Sequence, residues 1–265
     1  MENATQGRKF KIFVALAYFI TWLIWLPLAL NDLFKLRLPT FPYQHFVGSF
    51  GPFAASLLTV LFFDRFKGLM NFLKRSFNFR IKYYWYLFAL SCPLVFYLIG
   101  VLILFIVRGH WIDISQIGVT KKLSGFGVAS VWAIWILTYG LGEETGWRGF
   151  LMPLLNKKYS FTKSVFIVAI VWAFWHLPAF FYNPGFKTMG FAIIGWAVGL
   201  LFGSFLLGWI SKNTNWSVIG AILFHGTLNT VTASDQAEGL LAGIVSIFVI
   251  VLTLLIGKVF GEEIR

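Results

Sequence analysis

"YWYLFALSCPLVFYLIGVLILFIV" occupies residues 84–107 and contains no Asp, Glu, Lys or Arg. A helix needs about 20 consecutive, mostly apolar residues to cross the hydrocarbon core of a bilayer, so this stretch predicts a transmembrane helix. Seven further stretches qualify or nearly qualify. The eight lie at approximately 10–30, 46–63, 84–107, 126–144, 163–182, 190–210, 216–232 and 239–258. The sequence therefore predicts an all-α, polytopic membrane protein with about eight transmembrane helices.

The composition also indicates a membrane protein. Hydrophobic residues make up 58% of the 265 residues, charged residues only 12%, and the mean hydropathy is +0.78. Soluble domains carry about a quarter charged residues. The chain shows no internal repeat and no loop long enough to form a soluble domain. We therefore expect a single transmembrane domain over residues 1–265, with the motif-bearing core at 126–232.

The positive charge predicts an orientation in the plasma membrane. Fifteen of the 22 Lys and Arg residues, from Arg8 to Arg265, lie in segments that are cytoplasmic if the N-terminus is cytoplasmic, and six lie in the opposite segments. Cytoplasmic loops are enriched in Lys and Arg, so both termini are expected in the cytoplasm. This distribution accounts for the net charge of +12 without a nucleic-acid partner. No small-residue cleavage site follows the first apolar stretch, which predicts a retained helix.

Segment 64–82, DRFKGLMNFLKRSFNFRIK, alternates basic and apolar residues. This pattern is typical of a segment that lies along the membrane surface, and we expect it on the cytoplasmic side. Recognition of specific lipids is the functional alternative for the same segment.

Ionisable and amide side chains inside the predicted spans fall in three groups, and such residues mark functional sites by default. The groups are Glu143, Glu144 and Arg148; His176; and His225 with Asn229. Glu144 and Arg148 are four residues apart and can form an ion pair, whereas Glu143 is turned about 100° from Glu144. One glutamate can therefore stay paired while the other faces a cavity, although spacing does not say which of them acts as a base.

The other two groups also have a helical arrangement. His225 and Asn229 share one helix face and can hold a water, an oxyanion or a metal ion. Pro178 follows His176 and predicts a kink or a helix end there, and Trp172 lies one turn earlier. Each group has a structural alternative, because ion pairs and polar side chains also hold transmembrane helices together. The glycines around the glutamates allow close approach of either another helix or a substrate.

In chain order the groups read EExxxR, WxxxH and HxxxN. This order resembles the CPBP family of intramembrane proteases, also called the CAAX-protease, bacteriocin-processing or Abi family, which includes the Ras-converting CAAX endopeptidase. The resemblance covers roughly 126–232 by its motifs, and it departs from the common pattern at Trp172, where Phe is frequent. The segment GSFGPFAASLL also looks like the second helix of bacterial members.

The resemblance implies hydrolysis of a peptide bond within the membrane, in a catalytic cavity inside the helical bundle. Glu143 with His176 would activate a water, and His225 with Asn229 would stabilise the tetrahedral oxyanion. Glu144 and Arg148 would support the site. The expected substrate is a peptide or a membrane-anchored protein.

A metal cofactor is left open by these residues. Glu143, His176 and His225 could supply three ligands to a zinc ion with a water in the fourth position, as in metalloproteases. The HExxH motif of zinc proteases is absent, and a metal-free glutamate mechanism uses the same residues.

Two other function classes use similar residues. A proton-coupled transporter also places Glu, His and Arg inside its spans, although the internal repeat typical of transporters is absent. A non-catalytic scaffold or immunity protein with the same fold would be expected to lose motif residues, and all of them are present.

Overall fold

The computed structural model describes residues 2–234 and 236–259, and every regular element among them is helical. The α-helices are α1 (Glu2–Phe34), α2 (Gln44–Gly48), α3 (Gly51–Ser76), α4 (Tyr83–Arg108), α5 (Val128–Trp135), α6 (Leu141–Glu144), α7 (Met152–Asn156), α8 (Phe161–Trp175), α9 (Ala179–Tyr182), α10 (Pro184–Lys187), α11 (Ala192–Asn213), α12 (Ile219–Thr232) and α13 (Leu240–Val259). Wider π-helical turns at Ile136–Gly140 and Thr145–Leu151 join α5, α6 and α7. Short 3₁₀ turns occur at Ile114–Gln116, Lys121–Leu123 and Gln236–Gly239. The predicted all-α class is confirmed.

Within residues 2–234 and 236–259, five helical segments are long and apolar enough to cross a membrane by length and composition. They are Ala4–Phe34, Gln44–Ser76, Tyr83–Arg108, Ala192–Asn213 and Gln236–Val259. The predicted stretches at 126–144, 163–182 and 216–232 are helical too. The helices α8 and α12 in the last two are shorter, and the stretch at 126–144 belongs to a helix interrupted by π turns. We call that composite, residues 128–156, the central helix. The chain is a multi-pass membrane protein, and eight full-length spans stay a prediction.

The distribution of polarity is that of a protein surrounded by lipid. Large apolar side chains point outward from the long helices, as at Phe19, Leu98 and Ile106, which are 65%, 61% and 71% exposed. Glu144 and Arg148, by contrast, are fully buried. A soluble protein would have the opposite arrangement, because water solvates charges and lipid does not.

The central helix lies between α3 and α12. Its second half packs on α3, and α12 packs on α5 and the first π turn. Two glycines permit the approach to α3: a Cβ atom on Gly142 would collide with the carbonyl of Ser49, and one on Gly146 would collide with the backbone of Pro52. Glycines at these positions therefore serve helix packing, which was one of the two roles expected for them.

Segment 64–82 begins at a kink in α3 that separates two helical parts. The backbone leaves helical geometry at Arg65, with φ 59° and ψ −170°, and the helix then runs on to Ser76. Residues 77–82 connect it to α4. The predicted cytoplasmic location of this segment remains a prediction, as does the orientation of both termini. The charge count behind that orientation includes Arg265, which lies outside the described residues.

Candidate active site

Glu144 lies at the centre of a fully buried ion cluster. Its Oε1 accepts a hydrogen bond from Arg148 Nη1 at 3.0 Å, so the expected pair of residues four apart is present. The same oxygen lies 2.8 Å from His225 Nδ1, on α12. The carboxylate thus bridges the central helix to α12. The sequence motifs do not predict this contact, because they group His225 with Asn229 and Glu144 with Arg148.

Glu143 faces a different neighbour, as its position one residue earlier predicts. Its Oε2 accepts a hydrogen bond of 2.6 Å from Trp172 Nε1, and the residue is only 3% exposed. Its other oxygen, Oε1, accepts no hydrogen bond from any residue within 2–234 and 236–259. That oxygen is available to accept a proton from a water or a substrate.

His176 follows the last residue of α8, where the helix ends before Pro178. Its Nδ1 lies 2.8 Å from the backbone carbonyl of Trp172. A carbonyl oxygen can only accept, so Nδ1 carries the hydrogen and Nε2 of the neutral ring has the lone pair. The expected helix end at His176 is present, and it leaves the imidazole half-exposed with a free acceptor nitrogen.

Trp172 connects the two glutamate environments. Besides its bond to Glu143, its ring lies under the Arg148 guanidinium, with 4.3 Å from Cζ to the ring centroid. The edge of the ring meets His225 at a centroid distance of 5.8 Å. The sequence analysis placed Trp172 only one helical turn before His176. Its wider role depends on helices that are distant in sequence.

Asn229 lies outside the hydrogen-bond network that joins the glutamates to Arg148, Trp172 and His225. It lies one turn beyond His225 on α12 and is half-buried. Its side chain forms no hydrogen bond with any of the described residues. An oxyanion role for His225 with Asn229 therefore stays a prediction.

A polar pair near these residues was missed by the sequence analysis. His45 Nδ1 and the Tyr182 hydroxyl are 2.6 Å apart, and the His45 ring lies 6.0 Å from that of Tyr139, one turn before Glu143. His45 stacks on Trp25 with a centroid distance of 4.8 Å. Neither His45 nor Tyr182 belongs to a spaced motif, so no sequence signal singled them out.

The three side chains considered as zinc ligands do not form a ligand cluster. Within residues 2–234 and 236–259, no group of three or more His, Cys, Asp or Glu side chains is arranged to hold a metal ion. Glu143 is bonded to an indole instead, and His225 is bonded to Glu144. The arrangement as it stands does not fit a zinc site of Glu143, His176 and His225, and we derive no chemical step through a metal. Metal dependence stays a prediction.

Comparison with known proteins agrees with the motif order. Residues 125–231 match the sequence profile described as type II CAAX prenyl endopeptidase Rce1-like. This segment is similar to the Rce1-like family. A relative named CAAX prenyl protease 2, from Methanococcus maripaludis, is 30% identical over 92 residues, which cover 33% of this chain. The chain spans 34% of the length of that relative. The resemblance stated from the three motifs is therefore confirmed, and the matched segment includes all seven motif residues.

Proposed function

We propose that the chain is an intramembrane endopeptidase in which Glu143 activates a water for attack on a peptide carbonyl. The observation that carries this proposal is the contrast between the two adjacent glutamates. Glu144 forms an ion pair with Arg148 and a hydrogen bond with His225, both through Oε1. Glu143 has no ion-pair partner among the described residues, is fixed by one indole hydrogen bond to Oε2 and keeps Oε1 free. The match of residues 125–231 to the Rce1-like profile supports hydrolysis as the reaction.

In the proposed reaction, Glu143 Oε1 takes a proton from the water, and His176 Nε2 accepts a hydrogen bond from the same water. The resulting hydroxide adds to the carbonyl carbon of the substrate. Glu143 then returns its proton to the leaving amine as the carbon–nitrogen bond breaks, which regenerates the carboxylate. General-base catalysis by a positioned carboxylate contributes typically about 10² to 10⁴-fold in rate.

The negative oxygen of the tetrahedral intermediate needs hydrogen-bond donors. Asn229 has an uncommitted amide that can donate. His225 donates through Nε2 only when it carries a proton there as well as on Nδ1, because Nδ1–H is committed to Glu144. Arg148 and Glu144 act on the reaction through His225 and are positioning residues.

The substrate is a peptide bond in a peptide or a membrane-anchored protein. The relative's name specifies a prenylated CAAX protein as its substrate. For this chain, we propose the broader class. Test peptides with and without a prenyl group distinguish a prenylated substrate from the broader class.

The test uses full-length protein in liposomes with quenched-fluorescent peptides. Glu143→Gln is expected to lower the cleavage rate by about 10² to 10⁴-fold, and His176→Ala and His225→Ala are expected to lower it as well. Glu238→Gln and His110→Ala are the matched controls, because both residues are exposed and lie outside the motifs. Full cleavage by Glu143→Gln would overturn the proposed role of Glu143. Substrate accumulation inside the liposomes without cleavage would instead indicate a transporter.

A further inference from the structure

A cavity of about 260 Å³, lined by none of the motif residues, lies between α1, α3 and the end of the central helix. Its polar lining consists of Lys9, Asp64, Asn71, Arg75 and Lys157. Charged residues from α1, from α3 and from the residue that follows α7 meet here next to an apolar, lipid-facing surface. This is the composition expected where a helical bundle leaves the hydrocarbon core and reaches the headgroup region.

The charges in this cavity are not balanced by the protein. Lys9 Nζ is paired with Asp64, at 2.6 and 2.7 Å from the two carboxylate oxygens. Asp64 is the only acidic residue in the lining, and it is thereby occupied. Arg75 and Lys157 have no carboxylate partner among the described residues. Two positive charges therefore remain for an external anion.

Arg75 is the most constrained cation of this cavity. Its Nη2 donates to the backbone carbonyl of Gly149 at 2.5 Å, which fixes the guanidinium in place. Its Nε is buried and has no hydrogen-bond partner. A buried donor without a partner is costly, and a small shift of the side chain that brought Nε to an acceptor in the cavity would relieve this cost. The planar guanidinium is well suited to the paired oxygens of a phosphate.

The remaining lining of the cavity is apolar, from Phe72, Phe150 and Leu154 among others. A small inorganic anion would leave this part unfilled. We propose that the cavity binds the phosphate of an anionic phospholipid, with the phosphate between Arg75 and Lys157 and the glycerol end of the acyl chains against the apolar lining. Basic pockets at the ends of transmembrane helices bind lipid headgroups in this way.

This lipid site is connected to the candidate active site through one hydrogen bond. Gly149, whose carbonyl Arg75 holds, directly follows Arg148 in the central helix. A phosphate bound to Arg75 would limit the motion of its guanidinium and so stabilise the turn that carries Arg148. Bound anionic lipid is therefore expected to raise peptidase activity, and this effect rests on the proposed function. Lipid binding itself does not require that the chain is a protease.

The test compares lipid retention by the full-length protein, measured by native mass spectrometry after exchange into defined lipids. Wild-type protein is expected to retain phosphatidylglycerol over phosphatidylcholine. Arg75→Gln with Lys157→Gln is expected to lower this preference by about tenfold or more, the effect of removing two cationic contacts. Lys158→Gln with Lys163→Gln is the matched control. It removes two positive charges nearby in sequence, from residues that contact Tyr159 and do not line the cavity.

Three results would overturn the proposal: equal retention of the two lipids by wild-type protein, equal losses in the cavity variant and its control, or inorganic phosphate stabilising the delipidated protein as well as phosphatidylglycerol does. Lys157→Gln alone breaks no hydrogen bond within the described residues, so it tests the site even if the Arg75 variant misfolds. Retention is measured without substrate. A protein that binds the lipid selectively but cleaves nothing would leave this proposal standing and refute only the peptidase.

Discussion

Replacement of Arg148 by Met tests whether the buried ion cluster holds the site together. Arg148 is fully buried, donates to Glu144 at 3.0 Å and lies 4.3 Å from the Trp172 ring centroid. Arg148→Met keeps much of the volume but leaves Glu144 with His225 as its only partner among the described residues. Removing one partner of a buried pair costs about 3–5 kcal/mol. Loss of the desolvated cation–π contact with Trp172 contributes about 2 kcal/mol. Part of this is already included in the ~3–5 kcal/mol, because the ion pair and the cation–π contact share one guanidinium.

The assay is a double-mutant cycle on the free energy of unfolding of the purified protein in mixed micelles. Glu144→Gln removes the charge while keeping an oxygen that can accept the hydrogen bond from His225. We expect Arg148→Met to lower the unfolding free energy by about 3–5 kcal/mol in the wild-type background and by at least about 1 kcal/mol less in the Glu144→Gln background. Arg148→Lys, which keeps the charge but not the planar group, should fall between wild type and Arg148→Met.

Additive effects of the two substitutions would refute the reasoning. So would a loss below about 1 kcal/mol for Arg148→Met, which is the range of an exposed salt bridge. Either outcome would mean that the cluster is solvated in the membrane-embedded protein, and that Glu144 does not depend on Arg148 for its charge.

Three further predictions concern single positions. Trp172→Phe removes the indole hydrogen bond to Glu143 but keeps an aromatic ring, so cleavage should fall by about 10 to 100-fold, less than for Glu143→Gln, as measured by peptide hydrolysis. Gly142→Ala should destabilise the protein by about 1–3 kcal/mol because its Cβ meets the α3 backbone, whereas Gly199→Ala, which has open space around it, should be neutral or stabilising. Hydrogen bonds from the Ser115 side chain, Gln116 and the Ser115 backbone lower the pKa of Asp113, which lies in the loop after α4. The contribution of Asp113 to loop order is therefore present above the ordinary Asp pKa and lost as the pH falls through the lowered value. Hydrogen exchange in residues 113–116 should show this acid sensitivity in the wild-type protein and not in Asp113→Asn.

The local features of the site were predictable from spacing. Glu144 and Arg148 are one helical turn apart, so any helix in this region brings them together. The same geometry turns Glu143 to another side, and Pro178 ends the helix near His176. These predictions needed only the period of an α-helix and the steric limits of proline.

The contacts between helices were not predictable in this way. Glu144 meets His225 across 81 residues of sequence, and Glu143 meets Trp172 across 29. Spacing within a helix does not determine which face of a distant helix packs against it. The pairing of His225 with Glu144, and the place of His45 beside Tyr139, were therefore visible only after packing.

The sequence by itself determined that this is an all-α membrane protein with its polar groups on three helices, because hydrophobic length and helical period are properties of a local segment. Only the tertiary structure decided that Glu144 is held by both Arg148 and His225, whereas Glu143 has a single indole partner among the described residues. It also decided that Arg75 and Lys157 share a cavity without a compensating charge. Partnership between distant side chains depends on how the helices pack, and that is determined by the shape of the whole bundle.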